Sequence, residues 1–564
     1  MTCSDSPRPR RTSRALALLP VLGLALVLPW PVASLAQAQA VEGKPAETSK
    51  GEPAAKTAPS ENLNRDSGAL EFKPDLVVKG PVDWQVYQRG EDGFADIPIV
   101  LSEDVSADSN VSVTLHGINR PSQAVAYRDG KLVNVPVGGP YQINVTVQAM
   151  TRRESDIKRG MTTAKGFTIS RVYVGDLWVL AGQSNMQGVG NLTDVTPPLD
   201  RVMALGMDGK WVRAEEPLHW LVDSPDPVHS GNPDDRAARS KAEHQNRPKG
   251  AGLGLPFGVA LSAATNVPVG LVVCAHGGTS MEQWDPAKKD EGGNSLYGSM
   301  LRQIQLAGGK VRGILWYQGE SDAMQPAAAK FADRFTKFIG AVRADLGQPD
   351  LPFYYVQIGR FVISIDPQGW NIVRDAQRLI PDQVPGTAVV TAIDLELDDL
   401  IHVGTPGLKR LGARLARIAQ RELFGQVGGT TPTLDHVSKR AGNTLVLKFK
   451  GVNRPVVNPR TMVFPIADGR PMPPSSVTAP IEGLRPARHI GGFSIRKDDG
   501  TEIPLIFDAA VGPLKDTVVL KLEGAIPAGA QLWYGYGLNP YCNLVDALDM
   551  AVPAFGPIAL DEVK

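Results

Sequence analysis

Cysteine is scarce in this chain: three residues in 564, at positions 3, 274 and 542. A disulfide framework is therefore excluded as the main source of stability. No C-x-x-C or H-E-x-x-H spacing occurs and the eight histidines are scattered, so the ligand patterns of zinc sites are missing and no metal or organic cofactor is expected. An excess of one charge is missing too. Lysine plus arginine and aspartate plus glutamate number 59 each, which leaves no positive field to gather nucleic acid or anionic lipid and points to neutral partners. No repeat of fixed period is present.

The longest apolar stretch, Ala15 to Trp30, is short for a membrane span and is interrupted by Pro20, Gly23 and Pro29. It follows Arg8, Arg10, Arg11 and Arg14 and leads into the small residues Ala36-Gln37-Ala38-Gln39-Ala40. That layout reads as a signal peptide over 1–40, cleaved after Ala38 or Ala40, and predicts an exported, periplasmic or secreted protein with no stable membrane insertion afterwards. The pair Arg10-Arg11 leaves the Sec and twin-arginine routes both open. Cys3 falls in the leader. Of the remaining two cysteines, Cys274 closes an apolar run and reads as a small buried hydrophobe rather than half of a bridge to Cys542.

What is present suffices for several domains, since 564 residues with 42% apolar content exceed what one core organises. Residues 41–69, rich in Ala, Pro, Lys, Glu and Ser, read as a solvated, disordered linker. From 70 to 170 the pattern has period two, as in Val111-Ser112-Val113-Thr114-Leu115 and Tyr141 to Val147, with Asp129-Gly130 as a hairpin signal. This predicts an N-terminal β-sandwich.

Between 171 and 426 apolar strands alternate with helices. Strands are expected at 174–180, 267–274, 311–317, 352–358 and 387–393, apolar on both faces as a covered parallel sheet requires. Phe331, Phe335, Phe338, Ile339, Val342 and Leu346 recur at helical spacing, as do Leu408, Leu411, Leu415, Ile418 and Leu423. The expectation is an α/β domain, a three-layer doubly wound parallel sheet. Residues 208–250 break its rhythm with a long polar stretch that is either a functional lid or a disordered insert. From 427 to 564 period-two segments return, including Thr444 to Phe449 and Thr517 to Leu522, and predict a C-terminal β-sandwich.

Four polar segments stand where strands of the α/β domain end, the place where such sheets bind ligands. Gly182-Gln183-Ser184-Asn185-Met186 puts a serine between strand and helix, where backbone N–H groups favour developing negative charge; a plain helix cap is the alternative. His276-Gly277-Gly278-Thr279-Ser280 allows close backbone approach, or is simply a turn with a structural histidine. Trp316-Tyr317-Gln318-Gly319-Glu320 offers a side-chain amide and a carboxylate. Asp398-Asp399-Leu400-Ile401-His402 spaces a carboxylate three residues before an imidazole, which lets Asp399 meet Nδ1 and leaves Nε2 free for a serine hydroxyl. Glu320 with the Asp399 region alone would suggest a two-carboxylate glycosidase; the serine argues against it.

Taken in order, G-Q-S-N-M, G-G-T-S, W-Y-Q-G-E and D-x-x-H resemble the SGNH-hydrolase superfamily, in its sialate O-acetylesterase-like branch of carbohydrate acetylesterases. The resemblance covers 171–426. It implies Ser184 as nucleophile, His402 as general base and Asp399 as its partner, with an oxyanion hole made by the N–H groups of Ser184 and Gly278 and the side-chain amide of Gln318. Gly277 is an alternative to Gly278. Gln183, Asn185 and Glu320 would support these residues or touch substrate. Gln183 and Gln318 stand where many members of the wider superfamily have aspartate and asparagine. The expected substrate is an O-acetylated sugar or polysaccharide, with Trp284, Trp316, Tyr317 and Trp370 either stacking on sugar rings or filling the core. Two other readings of the same fold are a non-catalytic glycan-binding protein and a lipase- or thioesterase-type hydrolase. The oligomeric state is not encoded in any of these features.

Overall fold

The computed structural model describes residues 78–103, 105, 109–117, 125–148, 164–425, 428–453, 490–514 and 516–563. The expected leader and linker lie outside them. No helix among the described residues is long and apolar enough to cross a membrane.

The backbone of the fold is one strand of 19 residues, β1 (Ala164–Gly182). Its first half is mostly exposed or partly buried, with Ile169 buried, while every residue from Val172 to Gly182 is buried. The N-terminal half pairs with the antiparallel strand Gly138–Gln148, which in turn pairs with Asn110–Gly117. Val86–Gln88 runs parallel to Tyr173–Gly175. The C-terminal half enters the α/β sheet. The division expected at 170/171 therefore falls inside a strand, and the change of pattern there marks the point where a half-exposed sheet becomes a covered one. Arg171, at φ 55°, lies at that transition.

The α/β portion adds β2 (Val202–Leu205), β3 (Trp211–Arg213), β4 (Val269–Val273), β5 (Gly313–Tyr317), β6 (Phe353–Gln357) and β7 (Thr387–Thr391) in the order β3-β2-β4-β1-β5-β6-β7. All neighbours are parallel except the β2/β3 hairpin at the edge. Register fixes the two faces: Trp178 is opposite Gly313 and Ala181 is opposite Trp316, so Trp178 and Trp316 point to opposite sides. Trp178 packs edge-on against Phe257 of the helix Gly254–Thr265. Trp316 packs on Phe335 and Phe338 of the helix Phe331–Asp345. Helices thus cover both faces.

The five strands expected in this region are present, and β2 and β3 are additions. Their turn is an Asp208-Gly209 pair with Gly209 at φ 75°, a hairpin signal inside the stretch expected to be a lid or insert. The remainder of that stretch is folded, with helices Pro227–Ser230 and Arg236–Asn246 and a short strand Lys249–Ala251 paired with Gly190–Asn191.

In the N-terminal region a second sheet pairs Phe94–Pro98, Lys131–Pro136 and Ala126–Arg128. The expected hairpin turn has Asp129 at φ 50° and Gly130 at φ 74°, the left-handed pair that suits a two-residue connection. Ile97, Leu132 and Val135 from this sheet share a core with Leu115, Ile143, Val145 and Val172 from the other. The region is fastened to the α/β sheet by Arg89, which bonds Asp176 through Nε at 2.9 Å and Nη2 at 3.1 Å.

The C-terminal region holds two four-stranded antiparallel sheets over a common core of Leu445, Leu447, Val518, Leu520, Leu532 and Phe555. Thr444–Lys450 pairs antiparallel with Thr517–Leu522. Arg414, fully buried, grips Asp394 through Nη1 at 2.8 Å and Nη2 at 2.7 Å and donates from Nε to the Asp549 carbonyl at 2.6 Å. Both described cysteines are free and buried, so Cys274 and Cys542 do not pair.

Candidate active site

The chain leaves β1 at Gly182 with φ 133°, where an added Cβ would meet the Tyr317 carbonyl oxygen at 2.2 Å. Only glycine fits between these strand ends. Gln183 then donates its N–H to that same carbonyl at 2.8 Å, and its own carbonyl accepts from Met186 and Gln187 to start the short helix Ser184–Gln187. The serine is thus the first residue of a helical turn, pinned from both sides.

Ser184 Oγ lies 2.9 Å from His402 Nε2, and His402 Nδ1 lies 2.8 Å from Asp399 Oδ2. The Asp399 loop folds back as its spacing requires: Oδ1 accepts the N–H groups of Ile401 at 2.9 Å and of His402 at 2.8 Å. Partial burial acts to raise the Asp399 carboxyl, but these backbone bonds and the His402 ring outweigh it and hold the group below the ordinary carboxylate range. A carboxylate at Nδ1 keeps the proton there and turns the Nε2 lone pair to the serine.

Asn185, Glu320 and Gln183 are buried. Asn185 donates from Nδ2 to Glu320 Oε1 at 2.8 Å and accepts the Val403 N–H at 3.0 Å, tying the serine turn to the residue after the histidine. Gln183 Oε1 accepts the Ser321 N–H at 3.4 Å. Burial raises the Glu320 carboxyl despite its Asn185 partner. These three residues brace the site from beneath.

Two of the expected oxyanion donors have N–H groups with no acceptor among the described residues. The Ser184 N–H is at the first position of its helical turn, where no intrahelical acceptor exists. The Gly278 N–H has no acceptor among the described residues, and Gly278 is exposed with φ 70°. Gly277 is excluded as the alternative because its N–H donates to Gln187 Oε1 at 2.8 Å. Gln318 is corrected. Its Nε2 donates to the Thr279 carbonyl at 3.1 Å and to Asp322 Oδ2 at 2.6 Å, so both amide hydrogens are consumed inside the protein. Turning the amide over would set its oxygen against two acceptors. The aromatic candidates are settled as core: Trp284, Trp316 and Tyr317 are fully buried and Trp370 is 1% exposed.

Sequence reasoning missed two contributions from the polar stretch after Trp211. Lys249 Nζ lies 3.8 Å from Asp399 Oδ2, brought there by the pairing of Lys249 with Asn191, whose side chain bonds Asp398 at 2.8 Å. His229 Nδ1 lies 3.0 Å from His276 Nδ1. Neither carries a sequence signal, because both depend on how the stretch folds back. Among the described residues no group of three or more His, Cys, Asp or Glu side chains is placed to hold a metal ion.

The chain is also similar to known carbohydrate esterases. Residues 174–421 match the model of the family described as carbohydrate esterase, sialic acid-specific acetylesterase. A protein of Arabidopsis thaliana named a probable carbohydrate esterase is 28% identical over 264 residues, covering 43% of this chain and 88% of its own. The crystal structure of a carbohydrate acetylesterase from Xanthomonas citri superposes with a TM-score of 0.56 at 22% identity, covering 84% of this chain and 97% of that one, and establishes likeness of fold. Over residues 174–421 the chain is thus similar to the sialic acid-specific acetylesterase family of carbohydrate esterases.

Proposed function

We propose that the protein is a serine esterase that removes O-acetyl groups from carbohydrates through an acetyl-serine intermediate. The observation that carries this reading is the unbroken chain Ser184 Oγ, His402 imidazole, Asp399 carboxylate, at 2.9 Å and 2.8 Å. As His402 Nε2 takes the hydroxyl proton, Ser184 Oγ bonds to the acetyl carbonyl carbon and the carbonyl pair moves onto oxygen. Asp399 stabilises the imidazolium that forms. The N–H groups of Ser184 and Gly278 receive the oxyanion, each contributing roughly 3 kcal/mol to the transition state. Collapse expels the sugar alcohol, which takes the proton from His402. Water, deprotonated by the same nitrogen, then attacks the acetyl-serine, and collapse releases acetate as Ser184 Oγ takes the proton back from His402.

The intact triad favours catalysis over a glycan-binding role, and the family match favours an acetylated sugar over a lipid ester. The leader pattern at 1–40 adds the expectation that the enzyme works outside the cytoplasm. Acetate release from a panel of O-acetylated glycans, beside 4-nitrophenyl acetate and octanoate, tests the reading. Turnover of acetylated glycans that disappears in Ser184→Ala is the expected result; equal rates in the two proteins, or a preference for octanoate, reject it.

A further inference from the structure

Next to the Gly277-Gly278 turn, a chain of polar groups that the proposed mechanism does not use runs through the buried Asp226, Ser299 and His229. Arg302 Nη2 pairs with Asp226 Oδ2 at 2.6 Å. Ser299 Oγ donates to the same carboxylate oxygen at 2.5 Å. His229 Nε2 lies 3.1 Å from Ser299 Oγ, and His229 Nδ1 lies 3.0 Å from His276 Nδ1.

The direction of every proton in this chain follows from its first member. Asp226, in an ion pair with Arg302, only accepts, so the single hydroxyl hydrogen of Ser299 is committed to it. The Ser299 oxygen must then accept from His229, which places the His229 proton on Nε2. Burial, with His276 adding to it, pushes the His229 imidazole down to about 3, so the ring is neutral and its Nδ1 is a bare acceptor. His276 must therefore donate from Nδ1. Burial lowers the His276 imidazole as well, so this ring is also neutral and its Nε2 carries a lone pair. His276 is only partly buried, and its Nε2 has no hydrogen-bond partner among the described residues. Its residue precedes Gly277, where an added Cβ would lie 3.4 Å from Ser184 Cβ.

From this arrangement we infer that His276 Nε2 accepts a hydrogen bond from a free hydroxyl of the acetylated sugar, with the Arg302, Asp226, Ser299 and His229 chain fixing the tautomer that makes it an acceptor. The inference rests on the esterase reading and deepens it. A partially acetylated sugar is recognised by the hydroxyl it still bears, and an ester without one forgoes the contact.

The test compares kcat/KM of wild type, His276→Phe and His276→Gln on a mono-O-acetylated methyl pyranoside with free neighbouring hydroxyls and on 4-nitrophenyl acetate, which has none. The Phe variant should lose roughly tenfold more on the sugar ester than on the nitrophenyl ester, as expected for one unmade hydrogen bond, and the Gln variant, whose amide oxygen accepts, should regain most of the difference. Equal losses on the two esters would overturn the inference, because a merely structural histidine affects both alike. Nitrogen-15 spectra of the wild type should show His276 protonated at Nδ1 and bare at Nε2 near neutral pH; the opposite tautomer overturns the inference even where a variant fails to fold. Ser184→Ala separates the two levels. If it remains active on both esters, the esterase reading falls and this inference with it, whereas an inactive Ser184→Ala beside equal losses in the His276 variants removes only the role of His276.

Discussion

Val403 donates its N–H to Asn185 Oδ1 at 3.0 Å, so the neighbour of the candidate nucleophile holds the neighbour of the candidate base. One buried side chain thereby sets the spacing between Ser184 and His402. In Asn185→Ala the Val403 N–H and Glu320 Oε1 both lose their partner, and about 1–3 kcal/mol of stability should go with each buried group left unpaired. Because the hydroxyl-to-imidazole distance is also released, kcat should fall on the order of 100-fold. Thermal denaturation beside steady-state kinetics checks both; wild-type kcat in a destabilised variant would show that the two loops find their distance without this link.

Asp399→Asn keeps the size of the side chain but offers a donor where His402 Nδ1 needs an acceptor. The imidazole is then held in the wrong tautomer, and kcat should fall by roughly 10³-fold or more with KM little changed. A loss of only a few-fold would mean that His402 is oriented by something other than Asp399.

Gln318 separates two kinds of residue at one strand end. With both amide hydrogens on Thr279 and Asp322, Gln318→Ala should lower the melting temperature while reducing kcat by less than about tenfold. Removal of a true oxyanion donor costs about 10² to 10³ in kcat. A loss of that size in a stably folded Gln318→Ala would reinstate it as the third donor.

Gly182→Ala tests the strand end itself. The new Cβ would need to occupy space 2.2 Å from the Tyr317 carbonyl oxygen at a φ of 133°. A destabilisation on the order of 3 kcal/mol is expected from overpacking and backbone strain together, read by chemical denaturation. Near-native stability would contradict the packing of β1 against β5.

Two buried histidines should make stability fall toward acid pH. Burial, then the nearby Arg247, pushes the His219 imidazole down to about 3, and His229 is likewise held near 3. Between the unperturbed value of 6.5 and these folded values the unfolded chain binds a proton at each site that the native protein refuses. Stability therefore rises with pH through that window and is lost as pH falls through it, by up to about 1.4 kcal/mol per pH unit for each histidine. His219→Phe should flatten the slope measured by denaturation between pH 6 and 4 by about one histidine's share. An unchanged slope would place the acid sensitivity elsewhere.

Local chemistry made the site legible in sequence where it was self-contained. The Asp399 and His402 pair is closed by a single loop, and the Asp129-Gly130 turn and the helix Thr405–Phe424 follow from spacing and residue type. What escaped depends on partners distant in the chain. The amide of Gln318 faces two acceptors because Thr279 and Asp322 arrive from different loops, and the residue type alone reads as a free donor. β2 was missed because a strand of 4 residues, Val202–Leu205, is too short for periodicity to register. Lys249, His229 and His276 belong to contacts that exist only after the polar stretch folds back. The aromatic residues were ambiguous by composition, since a ring that suits a sugar face suits a core equally well.

The passage of β1 from one sheet into the next bears on how the molecule can be dissected. A cut at residue 170 would sever a continuous strand, strip the Val86–Gln88 edge from Tyr173–Gly175 and leave Asp176 buried without Arg89. An α/β fragment cut there should therefore be less stable than one that begins upstream of Val86, because its first strand is rooted in its neighbour.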